Sequence, residues 1–257
     1  MIKTGHHLPF DEVTRRYEGL RGHRGMPLEF YDRILEVAGP LAGLRVLDVG
    51  CGDGILLEKA LTRWPTAELW GVDFVVPASP TLSQRIRVMA ADLRGALPFS
   101  SQCMDLVLST ETLEHLTDPG RCLNEMIRLL RPGGRILVTI PNATGYFPFH
   151  YLGWWVPTRR LRRKFLPYEH PANTQQPIDT LYEFHEILDL VHRNGLRIQR
   201  LVGYKYFRYL LGLRVIGAVY GRLTPLVERA MERVGAQRFA YNLIFLLTPC
   251  TSAAPRM

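Results

Sequence analysis

Three ionisable side chains lie close together in the stretch STETLEHL, from 109 to 116. Glu111, Glu114 and His115 are spaced i, i+3 and i+4, which would place them on one face of a helix. Imidazole gains and loses a proton near neutral pH, so such a histidine can remove a proton from a hydroxyl group. The spacing predicts a catalytic base, although a locally packed histidine beside an exposed glutamate would produce the same pattern.

A second candidate site is the stretch VLDVGCGDG, from 46 to 54. Gly50, Gly52 and Gly54 would follow a short strand, where glycines let backbone N–H groups and a helix N-terminus approach a ligand closely. The dinucleotide fingerprint G-x-G-x-x-G would require glycine at Ile55 instead. The loop therefore favours a ligand other than a nicotinamide dinucleotide.

Acidic residues follow the next two predicted strands. Asp73 comes 23 residues after Gly50, where a carboxylate can accept hydrogen bonds from both hydroxyls of a ribose. Asp92 could accept from the amino group of an adenine while the backbone N–H of Leu93 donates to the ring. Either acid alone could be an exposed turn or cap residue, but their positions at successive strand ends together indicate a nucleoside site.

Strand-like and helix-like stretches alternate through the first half of the chain, as they do in an α/β fold. The predicted strands are 44–49, 67–72, 86–90, 105–109 and 135–140, and the predicted helices between them are 54–64 and 119–130. This order predicts a parallel sheet covered by helices on both faces. Ligands of such sheets bind at the carboxyl ends of the strands, which is where the candidate residues fall.

The pattern changes after Pro141, and the chain divides into four predicted parts. Residues 1–40 form an N-terminal helical segment, 41–141 a cofactor-binding core and 142–179 a cap or substrate insertion. Residues 180–257 complete the sheet, with a helix over 180–194, strands over 196–203 and 239–247, and an apolar, basic helical insertion at about 205–234. We expect a break in that insertion at Thr224–Pro225.

Taken together, these motifs resemble the class I S-adenosylmethionine-dependent methyltransferases. The resemblance covers about residues 41–142 and resumes weakly over 180–203. It implies a Rossmann-like, seven-stranded, mostly parallel sheet whose last strand, supplied by 239–247, is antiparallel. The motifs are VLDVGCGDG, GVDF at 71–74, AADL at 90–93, FSSQCMDLVLSTETLEHL at 99–116 and LLRPGGRILVTIPN at 129–142.

The resemblance implies a role in binding S-adenosylmethionine for residues at four strand ends. Asp73 would hold the ribose hydroxyls and Phe74 would pack on the adenine. Asp92 and Leu93 would contact the base, and the carbonyl of Thr110 would accept a hydrogen bond from the cofactor's amino group. The residues lining the methionine and ribose would be Asp48, Gly50, Cys51, Gly52 and Gly54.

The same resemblance implies how Glu111, Glu114 and His115 would act. Because the sulfonium carries its own activation, the protein chiefly aligns a nucleophile and removes its proton, which would be the work of His115. The E-x-x-E-H pattern resembles those of ubiquinone-pathway O-methyltransferases and small-RNA 2′-O-methyltransferases, some of which use it with a further histidine to hold a divalent metal. These three residues are thus an alternative metal site. Possible further ligands would be His150, His170 and His185.

The hypothesis of a bound metal is not favoured. The RNA enzymes' histidine-rich motif is not clearly reproduced by residues 168–187, YEHPANTQQPIDTLYEFHEI. We therefore expect S-adenosylmethionine as the cofactor and no resident metal.

Charge is distributed unevenly along the chain. Residues 1–150 contain 16 Lys and Arg against 17 Asp and Glu, whereas residues 151–257 contain 16 against 7. A basic half can meet phosphates, nucleic acid or an anionic membrane. Only four of the 32 basic residues are lysine, however, so a general bias towards arginine explains the excess equally well.

Two segments in the second half bear on the acceptor of the methyl group. Residues 145–170 combine eight aromatic residues with five basic residues at 159–164, a mixture that can stack bases, grip sugars or lie at a lipid interface. The run at 209–221 is apolar except for Arg214, which suits an anionic membrane surface or a dimer interface.

We predict O-methylation of an amphipathic or membrane-associated small molecule, such as a quinone precursor, a lipid or a lipid-linked sugar. An RNA or free-metabolite methyltransferase and a non-catalytic binding protein are the alternatives, although no separate RNA-binding module is recognisable.

The compartment is predicted from three negative observations. The four cysteines form no C-x-x-C pair, so neither a disulfide framework nor a zinc cluster is indicated. The N-terminus lacks the apolar core of a secretory signal. Residues 136–158 carry no Asp, Glu, Lys or Arg, but Pro141, Pro148 and Pro157 interrupt them, so we reject a membrane span. The prediction is a cytoplasmic protein that can associate with a membrane surface.

Overall fold

The structure is a computed structural model of the 257-residue chain. It describes residues 2–4, 12, 15–16, 26–74, 82–146, 177–206 and 214–250. Most of the predicted cap insertion, 142–179, lies outside these residues, as do the basic cluster at 159–164 and the first part of the apolar run at 209–221.

The described strands are β1 (Ile2–Thr4), β2 (Arg45–Val49), β3 (Glu68–Asp73), β4 (Ile86–Ala90), β5 (Met104–Thr110), β6 (Leu130–Pro141), β7 (Asp179–Leu181), β8 (Leu196–Tyr206) and β9 (Ala240–Pro249). Seven of these strands form one sheet in the order β4-β3-β2-β5-β6-β9-β8. β9 is antiparallel to both of its neighbours, whereas the other pairs in this sheet are parallel. The predicted fold class and the antiparallel last strand are thus confirmed.

Helices cover both faces of the sheet. The described helices are α1 (Leu28–Ala38), α2 (Ile55–Arg63), α3 (Pro119–Leu129), α4 (Phe184–Arg193) and α5 (Arg214–Arg233). Side chains alternate between the two faces along a strand, so Val46 of β2 packs on the side of α1 and α2 and Leu47 on the side of α3 and α4. None of the helices that the structure describes combines the length and the apolar composition needed to cross a membrane.

One local feature was not predicted and one local prediction is wrong. The N-terminal segment 1–40, expected to be helical, contains α1 and also β1, which pairs antiparallel with β7 (Ile2 with Leu181, Thr4 with Asp179). The partner of β1 lies far along the chain, so no local pattern reveals the strand. The helical insertion is not broken at Thr224–Pro225 as predicted, because α5 continues through Pro225. Val227 and Met231 pack on the core beyond the proline, and this packing holds the flanking turns in place.

Candidate active site

The glycine loop lies at the carboxyl end of β2 and contacts the segment that follows β5. Gly50 has a φ of +81°, and a Cβ there would lie 2.3 Å from the Thr112 hydroxyl oxygen. At Gly52 (φ +52°), by contrast, a Cβ would meet none of the described residues within 4 Å. The loop is therefore closed against the protein at Gly50 and open at Gly52.

Asp73 joins the loop to the end of β3. One of its carboxylate oxygens, Oδ2, accepts a hydrogen bond from the Gly52 N–H at 2.8 Å. Phe74 follows directly and is half-buried. The predicted ribose and adenine contacts thus lie next to the open part of the loop, as expected for the carboxyl ends of neighbouring parallel strands.

Asp48 lies on β2 beneath the loop and is almost completely buried. Its Oδ1 has no hydrogen-bond partner among the described residues. Burial, reinforced by the charge of Asp73, raises the pKa of Asp48 to about 7. A buried carboxyl with an unused acceptor would interact favourably with a cationic ligand.

Tyr31 of α1 was not predicted as a site residue. Burial raises its pKa, and the negative charges of Asp48, Glu111 and Asp53 raise it further. These three charges belong to β2, its glycine loop and the segment after β5. No signal in the sequence could have identified it, because α1 precedes every motif and its apolar spacing is that of an ordinary amphipathic helix.

The side chain of Cys51 lies beneath the glycine loop. Its side chain is buried against Gly71, where an added Cβ would lie 2.7 Å from the cysteine sulfur. Its backbone N–H donates to the carbonyl of Val72 at 3.1 Å. Burial also raises the pKa of the thiol. Its side chain therefore packs beneath the loop instead of facing the open side.

Asp92 and Leu93 follow β4, as predicted. Arg94 donates hydrogen bonds to both carboxylate oxygens of Asp92, at 2.9 Å from Nε and 2.7 Å from Nη2. This pairing with Arg94 lowers the pKa of Asp92. The side chain of Leu93 is buried in the core. An adenine amino group would thus share the Asp92 carboxylate with Arg94.

The segment after β5 is not the helix that was predicted. Thr110 ends the strand, but Glu111 has a φ of +50° and only Leu113–His115 form a short 3₁₀ turn. Glu111 adopts this uncommon conformation while its carboxylate accepts hydrogen bonds from the Thr139 hydroxyl at 2.7 Å and from Asn242 Nδ2 at 2.6 Å. Contacts with β6 and β9, rather than helical spacing, position this residue.

Glu114 is 1% exposed, and its Oε2 has no partner among the described residues. Burial, followed by the charge of Glu111, raises its pKa well above the usual range. The prediction that Glu114 lies near the site is thus compatible with its position, but its carboxyl group is buried and not exposed.

His115 is oriented by the segment leading into β7. Its Nδ1 lies 2.8 Å from the carbonyl oxygen of Ile178. A carbonyl can only accept, so Nδ1 must donate, and the neutral ring then has its lone pair on Nε2. Nε2 lies 3.8 Å from Glu114 Oε1, and Nδ1 lies 3.9 Å from Asp179 Oδ1. This arrangement produces the tautomer that a base acting through Nε2 requires.

The alternative metal site is not assembled by the described residues. Within them, no three or more His, Cys, Asp or Glu side chains are grouped so that they could hold a metal ion. The Glu111 oxygens accept from Thr139 and Asn242 instead. His185, one of the suggested further ligands, is exposed on α4, and His150 and His170 lie outside the described residues.

The residues at this edge fit S-adenosylmethionine, which carries positive charge on its sulfonium and amino groups. Among the described residues, nothing fills the space at Gly52, and none is a partner of the buried Asp48 oxygen. Asp73 lies at the same edge, where its Oδ2 accepts from the Gly52 N–H, and its carboxylate could also accept from a ribose bound there. The acidic surroundings would stabilise a cationic ligand.

Sequence comparisons identify relatives of this chain. A family model described as a methyltransferase domain matches residues 21–201. The ubiquinone biosynthesis O-methyltransferase of Sodalis glossinidius is 33% identical over 149 residues, which cover 52% of this chain and 57% of that protein. The mitochondrial enzyme of the same name from Mus musculus is 33% identical over 115 residues, covering 41% of this chain and 30% of the relative. These matches span well under two thirds of the relatives' length.

Solved structures share the fold at low sequence identity. A chain of the complex between the Haloferax volcanii Trm112 methyltransferase activator and the putative methyltransferase has a TM-score of 0.57 at 17% identity, covering 93% of this chain and 97% of that one. The geranyl diphosphate C-methyltransferase of Streptomyces coelicolor has a TM-score of 0.55 at 16% identity, with 86% and 79% covered. At these identities, the likeness concerns the fold alone.

Proposed function

The chain belongs to the methyltransferase domain family, as the resemblance to class I S-adenosylmethionine-dependent methyltransferases predicted, and we propose that it methylates a hydroxyl group of an amphipathic small molecule. The observation that carries the O-methylation is the hydrogen bond from His115 Nδ1 to the Ile178 carbonyl. It leaves Nε2 with the lone pair, in the segment that follows β5 and contacts the glycine loop through Thr112.

The chemistry requires one base and a binding site for a cation. S-adenosylmethionine would supply the activated methyl group. His115 Nε2 takes the hydroxyl proton as the acceptor oxygen forms its bond to the methyl carbon and the sulfur–carbon bond breaks. The products are a methyl ether, S-adenosylhomocysteine and a proton on the imidazole. Asp48, Asp73 and the Gly52 backbone hold and orient the cofactor.

The acceptor class is supported by three observations of different kinds. The relatives are named for ubiquinone biosynthesis, in which a phenolic hydroxyl on an apolar molecule would be the acceptor. The insertion at 145–170 is rich in aromatic residues, which suits contact with an apolar ring. Glu114 is buried, and burial raises its pKa, so the segment after β5 is shielded from water, which suits an apolar acceptor.

The decisive experiment follows a labelled methyl group. The purified protein and methyl-labelled S-adenosylmethionine are incubated with a cell extract, which is then separated into lipid, small-molecule and RNA fractions. The label is expected in the lipid fraction. Label in RNA or in free polar metabolites would identify another acceptor class. Absence of cofactor binding by calorimetry would exclude methyl transfer altogether.

A His115→Ala variant tests the base. Its turnover is expected to fall roughly 10²- to 10⁴-fold, because proton removal would be lost, whereas the affinity for S-adenosylmethionine should stay within about threefold. His185→Ala, which changes an exposed histidine on α4, is the matched control and should retain activity. Full turnover of His115→Ala would refute the assignment. Treatment with a chelator tests the metal expectation separately and should leave turnover unchanged.

A further inference from the structure

Exposed apolar side chains are concentrated on α5 and the turn after it. Among the described residues, the large apolar side chains that are exposed are Leu28, Leu223, Leu226, Val234 and Phe239. Four of these five belong to 222–239. Leu226 is 60% exposed and Val234 is 74% exposed. Single exposed leucines are ordinary, but a concentration on one element points to an interaction surface.

The exposed side chains form a stripe along α5. At 100° per residue, Leu223, Leu226, Ala230 and Val234 lie on the same side, and the Val234 N–H still donates to the carbonyl of Ala230 at 3.2 Å. Val227 and Met231, which pack on the protein, lie next around the helix, beginning about 20° beyond Val234. The stripe therefore adjoins the inner side that holds α5 on the sheet, but its own side chains are exposed on the outer side.

The charges of α5 are sorted between the same two sides. Glu228 faces the sheet, where its Oε1 accepts from the Lys205 N–H at 2.9 Å. Glu232 pairs with Arg33 at 3.2 Å and with Arg200 at 3.7 Å. Both acids are thus bonded to the body of the protein.

Three arginines extend from the opposite side. Arg222, Arg229 and Arg233 are exposed, and in the described part of the chain no acid forms an ion pair with them. On the helical projection they lie together, directly beside the apolar stripe. The outer side of α5 is therefore both apolar and positively charged.

We propose that this outer face, made of Arg222, Leu223, Leu226, Arg229, Arg233 and Val234, docks on the surface of an anionic phospholipid bilayer. The apolar side chains would enter the boundary between headgroups and acyl chains while the arginines bind lipid phosphates. A symmetric dimer through this face would bring like charges together, which disfavours a second copy as the occupant. The surface lies apart from the cofactor residues, so the inference does not depend on the proposed methyl transfer.

Vesicle flotation of the full chain tests the surface. The protein is expected to float with vesicles of phosphatidylcholine mixed with phosphatidylglycerol, and to bind much more weakly to phosphatidylcholine alone or at high salt. Replacing the three arginines together (R222Q/R229Q/R233Q) should weaken binding about 100-fold, because each arginine near the surface contributes roughly a factor of five. L223S/L226S should weaken it about tenfold or more by removing apolar area.

The matched control changes the same net charge elsewhere. Arg45, Arg63 and Arg193 are exposed outside α5, and R45Q/R63Q/R193Q should keep most of the vesicle binding. Circular dichroism and S-adenosylmethionine titration show whether each variant is folded. Equal loss in the control triple, or no binding of the unmodified protein to anionic vesicles, would overturn the proposal. If the α5 variants turn a dimer into a monomer while vesicle binding is unchanged, the face is a subunit interface instead.

Discussion

Two loops at neighbouring strand ends form the candidate site, and they are built differently. The loop after β2 is held by backbone bonds, with the N–H groups of Gly50 and Cys51 both donating to the Val72 carbonyl at 2.8 and 3.1 Å. The segment after β5 is held by side chains, since Glu111 bonds to β6 and β9 and His115 bonds to the carbonyl before β7. The first loop depends on glycine and the second on partners distant in sequence.

Each loop nevertheless places a buried carboxyl group close to the site. Asp48 and Glu114 are both about 1% exposed and each has one oxygen without a partner in the described structure. Burial is the main cause of the raised pKa in both cases. The comparison shows that a buried carboxyl group with a raised pKa is obtained from two unrelated kinds of local structure.

The greatest loss of stability is expected where an added side chain would clash between the two loops. Gly50→Ala puts a Cβ 2.3 Å from the Thr112 hydroxyl oxygen at a positive φ, and should lower the free energy of unfolding by about 5 kcal/mol. Gly52→Ala, whose Cβ meets open space, should cost only about 1 kcal/mol but weaken cofactor binding, because the new methyl group occupies the ligand side. Urea unfolding and calorimetry with S-adenosylmethionine measure the two quantities.

Similar losses of stability at the two glycines would show that the loops do not press on one another at Gly50. Retained cofactor affinity in Gly52→Ala would show that the open side of the loop is not the ligand side.

The next effect concerns the buried acid beneath the first loop. The pKa of Asp48 is raised from 3.8 to about 7 in the folded protein, so the folded state binds the proton more tightly than the unfolded state. The stability that this provides is complete below about pH 4 and is lost as the pH rises through 7, a change of roughly 4 kcal/mol. Asp48→Asn should remove most of this decline.

Urea unfolding across that pH window measures the effect. Asp189→Asn, at an exposed position on α4, is the control and should leave the pH dependence of the unmodified protein. An unchanged slope in Asp48→Asn would mean that Asp48 titrates normally.

The smallest of the three effects tests the side-chain bonds of the second loop. Glu111→Gln removes the charge that two donors share, and should lower the free energy of unfolding by about 2 kcal/mol, as for hydrogen bonds to a charged group. Glu68→Gln breaks an exposed pair with Arg45 and should cost under about 1 kcal/mol. Equal losses in the two variants would contradict the view that Glu111 anchors the segment after β5.

Predictability from sequence follows the same division. Glycine spacing, strand-end acids and alternating elements predicted the β2 loop, Asp73 and the sheet, because these signals are local. The helix predicted over Glu111–His115 is wrong, since the i, i+3, i+4 spacing does not reveal that Glu111 is bonded to Thr139 and Asn242. Tyr31 was missed for a related reason: the charges of Asp48, Glu111 and Asp53 act on it only when α1 packs on the sheet.

The succession of strands and helices along the first half of the chain and the position of the glycine loop could be predicted from the sequence, because backbone geometry and apolar periodicity are properties of short segments. The ligand class followed from the resemblance of the motifs to a known family. Three properties appear only in the folded chain: the ring nitrogen of His115 that carries the proton, the burial of Asp48 and Glu114, and the orientation of α5, whose acids face the sheet while its arginines face outward. Those properties depend on partners brought together by packing, which sequence spacing does not contain.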